Sequence, residues 1–187
     1  MEWTDQKTRC FWANPKNERY IRYHDEEWGV PVHDDQHLFE MLILESFQAG
    51  LSWECILNKR ERFRAAFDDF DLEKVCRYGE EKINALCQDP GIVRNRRKIE
   101  AAVNNARIFQ DIQKEYQSFS NYLWKWTDGK TIYETGKTRS DLSDAISADL
   151  KKRGMKFVGT TIIYAYLQAV GIIYSHEKGC FLEHMPH

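Results

Sequence analysis

Glu45 stands in an apolar setting. It follows Met41-Leu42-Ile43-Leu44 and precedes Phe47 and Trp53 in the stretch LESFQAGLSW. A helix over residues 38–49 puts Leu38, Met41, Leu42 and Ala49 within about one helical face of it. That face belongs in a core, and a poorly paired buried carboxylate costs several kcal/mol. Two readings follow. Glu45 forms an ion pair with a Lys or Arg of a neighbouring helix. Or it lines a pocket, with Trp12, Tyr23, Trp28 and Trp53, for a flat, cationic or amino-bearing ring that stacks on the aromatics and gives its N–H to the carboxylate.

Two further groups could carry chemistry. Cys10 and His24 lie near one end of the chain, and His176 and Cys180 lie near the other, in SHEKGC. Two Cys and two His make a closed tetrahedral metal site, and the four-residue spacing of His176 and Cys180 lets both reach one ion. The alternative is that they are ordinary core or surface residues. His33 and His37 read as a polar helix start, and His184 and His187 as part of a frayed tail. The second group is QDPGIVRNRRKI, Gln88 to Ile99: two helices around a tight Pro-Gly turn. Free N–H groups at the start of the second helix would stand beside Arg94, Arg96, Arg97 and Lys98. This suits a hairpin that grips a phosphate backbone without reading sequence, and it also suits a helical hairpin with a solvated basic face.

No Ser/His/Asp pattern, phosphate-cradling Gly-rich loop or HExxH is present, which excludes hydrolase and kinase chemistry of those kinds. A net charge of −2 restricts any nucleic-acid site to a local patch. Five scattered Cys and no apolar leader argue against a secreted disulfide framework, so a cytoplasmic location is expected. The charge-free run 157–174 has the minimum length of a membrane span, but two Gly, two Thr, Gln168 and three Tyr interrupt it. A buried core helix fits better.

The elements that must position these groups all read as helices. Asp34 or Asp35 caps a helix over about 36–49, which Gly50 stops. A short helix spans 58–67. Asp71 caps another to Tyr78, and 80–88 follows, broken by Asp89-Pro90-Gly91. A long helix runs from Arg94 to about Tyr116, and 118–126 forms one more. Thr127 to Lys137 reads as loop. Ser140 or Ser143 caps a helix ending at Lys151-Lys152-Arg153-Gly154, and 159–170 is the apolar core helix. The first ~30 residues show no clear helix and no segment alternates like a strand, so the class is all-α.

Taken together, five segments resemble the bacterial DNA-3-methyladenine glycosylase I family: Tyr23-His24-Asp25 with Glu27-Trp28-Gly29-Val30-Pro31, LFEMLILE with QAGLSW, GIVRNRRKI, LKKRGMKFVGTT and HEKGC. They occur in the family's order between Cys10 and Cys180. The resemblance implies a helix-hairpin-helix glycosylase fold with a core over 34–156. Residues 1–33 and 157–187 would form a small terminal region tied by one structural Zn2+ on Cys10, His24, His176 and Cys180. It implies Glu45 as the base-reading carboxylate of the catalytic site, and Tyr23, Trp28 and Trp53, with Trp12 nearby, as the base pocket. Gly50 and Leu51 would face the gap left by a flipped nucleotide, and the hairpin from Asp89 to Lys98 would hold the backbone through Gly91, Arg94, Arg96 and Lys98. The implied activity is release of 3-methyladenine from double-stranded alkylated DNA by a monomer away from membranes. Related hairpin enzymes use an Asp after the hairpin, and none can be placed here. The chain departs from the family pattern at Phe47 beside the carboxylate, Phe11 after the cysteine, Pro90 in the turn, and a Cys10–His24 spacing one residue longer.

Overall fold

The computed structural model describes residues 5–183, so His184 and His187 lie outside it. Ten helices follow in chain order: α1 (Glu18–Glu26), α2 (Asp35–Gln48), α3 (Trp53–Asn58), α4 (Arg60–Ala66), α5 (Leu72–Cys76), α6 (Glu80–Gln88), α7 (Arg96–Tyr116), α8 (Phe119–Trp124), α9 (Asp141–Lys152) and α10 (Thr160–Ala169). Two strands, β1 (Ile132–Tyr133) and β2 (Ile173–Tyr174), pair in parallel. The described chain is mostly helical, with this short ladder where a loop was expected.

Local chemistry explains the helix starts. Asp34 accepts the His37 N–H, Asp71 the Lys74 N–H and Asn95 the Lys98 N–H, while Ser140 and Ser143 cap each other reciprocally. Two helices were missed. α1 starts at the Asn17 cap, and α3 starts where Ser52 accepts the Cys55 N–H. Both are short, and α1 is rich in charged residues that hide its buried stripe of Tyr20, Tyr23 and His24.

α2 is the central element. Every residue from Leu38 to Phe47 is buried, so the helix has a core environment all round rather than one apolar stripe. It packs against α3, α7, α8 and α10. Phe39, Phe47, Phe63, Phe67, Phe70, Phe109 and Phe119 are fully buried, and such burial contributes roughly 1.5–3 kcal/mol per side chain. The phenylalanines thus make core, and the N-terminal tryptophans remain for other work. Phe47 packs edge-on against Phe63 at 4.9 Å and does not line the pocket described below.

α10 is ten residues long and packs on α2 and α9, and no described helix is long and apolar enough to cross a membrane. The chain after α10 lies against the segment before α2: Gly29 and Val32 donate to the carbonyls of Gln168 and Val170. Gly171 is required at this contact, because a Cβ there would sit 2.3 Å from the Val30 carbonyl carbon.

Candidate functional site

α1, α2, α3 and α10 converge on a pocket of about 170 Å³. Its walls are Trp12, Tyr20, Tyr23, Trp28, Glu45, Gln48, Trp53, Ala165 and Gln168. The five residues expected there are brought together. Tyr20, Gln48, Ala165 and Gln168 were not foreseen, because nothing in their local pattern separates a pocket wall from ordinary core. Tyr23 and Trp53 lie with ring centres 5.3 Å apart, and Trp12 meets Trp28 edge-on at 4.8 Å.

Glu45 is 2% exposed and forms no ion pair among the described residues. Its Oε2 has no hydrogen-bond partner, so the ion-pair reading fails. Burial alone raises its pKa to about 8. Glu40, on the same helix, shows the contrast. Burial pushes its pKa up as well, but Arg60 and Arg64 outweigh that and hold it below the usual range. Trp53, another wall residue, has a buried indole N–H that also lacks a partner among the described residues. Buried polar atoms are normally paired, so an acceptor and a donor both left open mark a place for a ligand.

Beneath the pocket, Cys10, His24, His176 and Cys180 bring four ligand atoms within 4.8 Å of one another. Cys10 Sγ and Cys180 Sγ each lie 3.6 Å from His176 Nδ1, and Cys180 Sγ lies 3.6 Å from His24 Nε2. A tetrahedral ion with metal–sulfur bonds near 2.3 Å and metal–nitrogen bonds near 2.0–2.1 Å requires S···N edges of about 3.6 Å. The cluster could therefore bind a metal. Both rings are held for it. His24 Nδ1 donates to Asp25 Oδ1 (2.8 Å), and His176 Nε2 lies 3.2 Å from the Trp28 carbonyl, which turns the opposite nitrogens inward. Asp25 is in turn clamped by two bonds from Arg9, at 2.8 and 2.7 Å. Arg9 and Asp25 were not singled out from sequence. The extra residue between Cys10 and His24 is accommodated without displacing either ligand, and Phe11 points away, 84% exposed.

The cluster and the pocket share walls. Trp12 packs on His24 at 5.1 Å and Trp28 on His176 at 4.7 Å.

The lip of the pocket is the turn between α2 and α3. Gly50 has φ +77, which suits glycine, and Leu51 is 41% exposed. The hairpin lies beyond it. The Gly91 N–H is taken by Asp89 Oδ1 (2.7 Å), and Lys59 reaches the Pro90 and Gly91 carbonyls, so Pro90 fits the turn. The N–H groups of Val93 and Arg94 have no partner among the described residues, and Arg94 and Arg97 are exposed without an ion pair. The other two expected cations differ. Arg96 is bound to Glu80, Glu100 and Asn84. Lys98 does not join the basic face. It is 7% exposed, and its ammonium donates to the Phe47 and Ala49 carbonyls.

A family model described as methyladenine glycosylase matches residues 12–183. The chain belongs to the methyladenine glycosylase family. It is 44% identical over 178 residues to DNA-3-methyladenine glycosylase 1 of Escherichia coli (strain K12), covering 92% of this chain and 95% of that one. It is 40% identical to DNA-3-methyladenine glycosylase of Haemophilus influenzae, covering 92% and 96%. Among solved structures, 3-methyladenine DNA glycosylase I superposes with a TM-score of 0.89 at 43% identity, covering 93% and 98%. A Tyr-to-Phe variant of 3-methyladenine DNA glycosylase I, in complex with 3-methyladenine, superposes with a TM-score of 0.88 at 38% identity, covering 92% and 96%.

Proposed function

We propose that this protein is a base-excision glycosylase that hydrolyses the N-glycosidic bond of 3-methyladenine in alkylated duplex DNA. It releases the free base and leaves an abasic site. The observation that carries this reading is the buried, unpartnered Glu45 in an aromatic pocket. An adenine methylated at N3 in DNA is cationic, so its bond to deoxyribose is already weakened. When that bond breaks its electrons return to the ring, the base leaves neutral, and water adds to the sugar carbon with loss of a proton. No strong general acid is needed.

The protein's task is then extrusion, recognition and admission of water. Tyr23, Trp28 and Trp53, with Trp12, surround the ring, and a cation gains more from those faces than neutral adenine does. Glu45 takes the N–H of the base and ionises as the cation approaches, which turns a neutral contact into a charge-assisted one. Selectivity for the methylated base follows.

The DNA side of this reading places Leu51 and Gly50 at the gap left by the flipped nucleotide. The hairpin at Gly91 sits on the backbone through Arg94, with Arg97 beside it, and Arg96 contributes where its carboxylate partners give way. Cys10, His24, His176 and Cys180 would hold one structural Zn2+, and the two His rings of that set lie under Trp12 and Trp28. A Cys2His2 set is the ligand set of structural zinc sites, so the metal would supply stability and no chemistry.

The test is direct. Purified, zinc-loaded protein is incubated with methylated duplex DNA and the supernatant is analysed for free bases. Release of 3-methyladenine is expected, and its absence overturns the reading.

A further inference from the structure

The end of α2 is held by a residue from the hairpin. The chain leaves the helix at Ala49 (φ −46, ψ 113) and reverses at Gly50 (φ +77). The last four carbonyls of a helix lack intrahelical donors, so the chain or side chains beyond it must supply them. The Leu51 N–H takes the Gln48 carbonyl at 2.6 Å. The Phe47 and Ala49 carbonyls receive no backbone N–H among the described residues. Lys98 Nζ supplies both, at 2.8 and 2.6 Å.

Lys98 is the third residue of α7, and its own N–H is capped by Asn95 at 3.2 Å. It has no carboxylate partner among the described residues, and burial lowers its pKa. A buried ammonium without a counter-ion is costly, and an apolar side chain of similar length would pack in its place. The C-terminal end of α2 offsets part of that cost, since a helix C-terminus favours a cation. What the lysine adds over an apolar residue is a fixed link. One side chain joins the first turn of the hairpin's second helix to the two carbonyls that flank Gln48 and precede Gly50-Leu51. Lys59 ties the hairpin turn to the start of α4 in the same region, at 3.4 and 3.3 Å from the Pro90 and Gly91 carbonyls. Two lysines thus tie the hairpin to its neighbours: Lys98 to the end of α2, and Lys59 to the start of α4.

We propose that Lys98 is a positioning residue: it sets the Gly50-Leu51 lip relative to the hairpin, so that the grip on the DNA backbone places Leu51 at the extruded nucleotide. Lys98 touches neither DNA nor base in this role. It serves the step that belongs to duplex DNA and not the recognition of a base already free. This inference rests on the glycosylase reading above.

The experiment compares wild type with Lys98→Met, which keeps length and loses both hydrogen bonds. Single-turnover excision from methylated duplex is measured beside binding of free 3-methyladenine by tryptophan fluorescence. Excision is expected to fall about tenfold or more, with base affinity within about twofold of wild type. Lys98→Arg, which keeps the charge and donors, recovers part of the loss. In a Leu51→Ala background, Lys98→Met adds less than about threefold, because the two residues act through one lip. If Lys98→Met does not fold, Lys98→Gln, which retains one bond, carries the same expectation at smaller size. Unchanged excision in a variant of an active wild type overturns the inference and leaves the glycosylase reading intact. A parallel loss of base affinity overturns it too, since that is what general loosening of the core produces. A wild type that releases no base defeats the glycosylase reading itself.

Discussion

Replacing Glu45 with Gln should make the protein more stable and less active. The reason is a proton. The carboxyl has an ordinary pKa of 4.5 and is raised to about 8 by burial, with no partner to oppose the shift. Below pH 4.5 it is neutral in both folded and unfolded chains and exacts no titration penalty. As pH rises from 4.5 toward 8, the unfolded chain ionises while the folded one stays neutral, and stability is lost. Each pH unit in that window costs about 1.4 kcal/mol, so the penalty is about 3 kcal/mol at neutral pH. Gln has the same shape and nothing to titrate. Urea unfolding of both proteins at pH 5, 6 and 7, at equal zinc, yields a difference curve in which all other titrating groups cancel. The variant's advantage should grow by about 2–3 kcal/mol between pH 5 and 7. Excision should fall by roughly ten- to a hundredfold, the difference between a charged and a neutral hydrogen bond. A flat difference curve would mean that Glu45 is ionised or paired in solution, and it would refute the reasoning.

Three other outcomes are expected. Cys10→Ser should lower the metal content from one per chain and lower the melting temperature, and it should also weaken base binding through Trp12 and Trp28; a wild type that is folded and metal-free speaks against the cluster's role. Gly50→Ala meets no atom within 4 Å, so only its positive φ matters; chemical denaturation should show a loss of about 1–2 kcal/mol, and no loss means the turn relaxes. Arg94→Ala with Arg97→Ala should reduce the slope of log affinity for duplex against log salt by roughly two, with unchanged affinity for the free base; an unaltered slope removes the hairpin from the DNA interface.

Much of the scaffold was legible because its punctuation is local. Asp34, Asp71, Asn95 and Ser140 cap helices at or near the expected places, and α6 spans the residues expected of it. Elements whose formation depends on distant partners were not legible. α3 begins at the last residue of QAGLSW, and β1 pairs with a strand some forty residues away over only two residues. At the site, Glu45 could be picked out as a charge in an apolar run. Whether it had a partner is a question about other helices, which no local pattern answers. Lys98 is the converse case. In sequence it is one of a run of cations, Arg94 to Lys98, and periodicity cannot tell the member that turns inward to cap another helix from those that face solvent. The four residues of the Cys/His cluster are separated by most of the chain, and only their residue types and the family pattern joined them.

The cluster also imposes an order on the protein's birth. Synthesis runs from the N-terminus, so Trp12 and Trp28 leave the ribosome long before His176 and Cys180. Yet Trp28 rests on the ring of His176, and Trp12 on His24, whose Nε2 faces Cys180. A nascent chain that has reached α9 still lacks the pocket walls Ala165 and Gln168 of α10, as well as the residue on which Trp28 rests. α10 brings the last walls of the pocket, and residues 176–180 then bring the ring on which Trp28 rests.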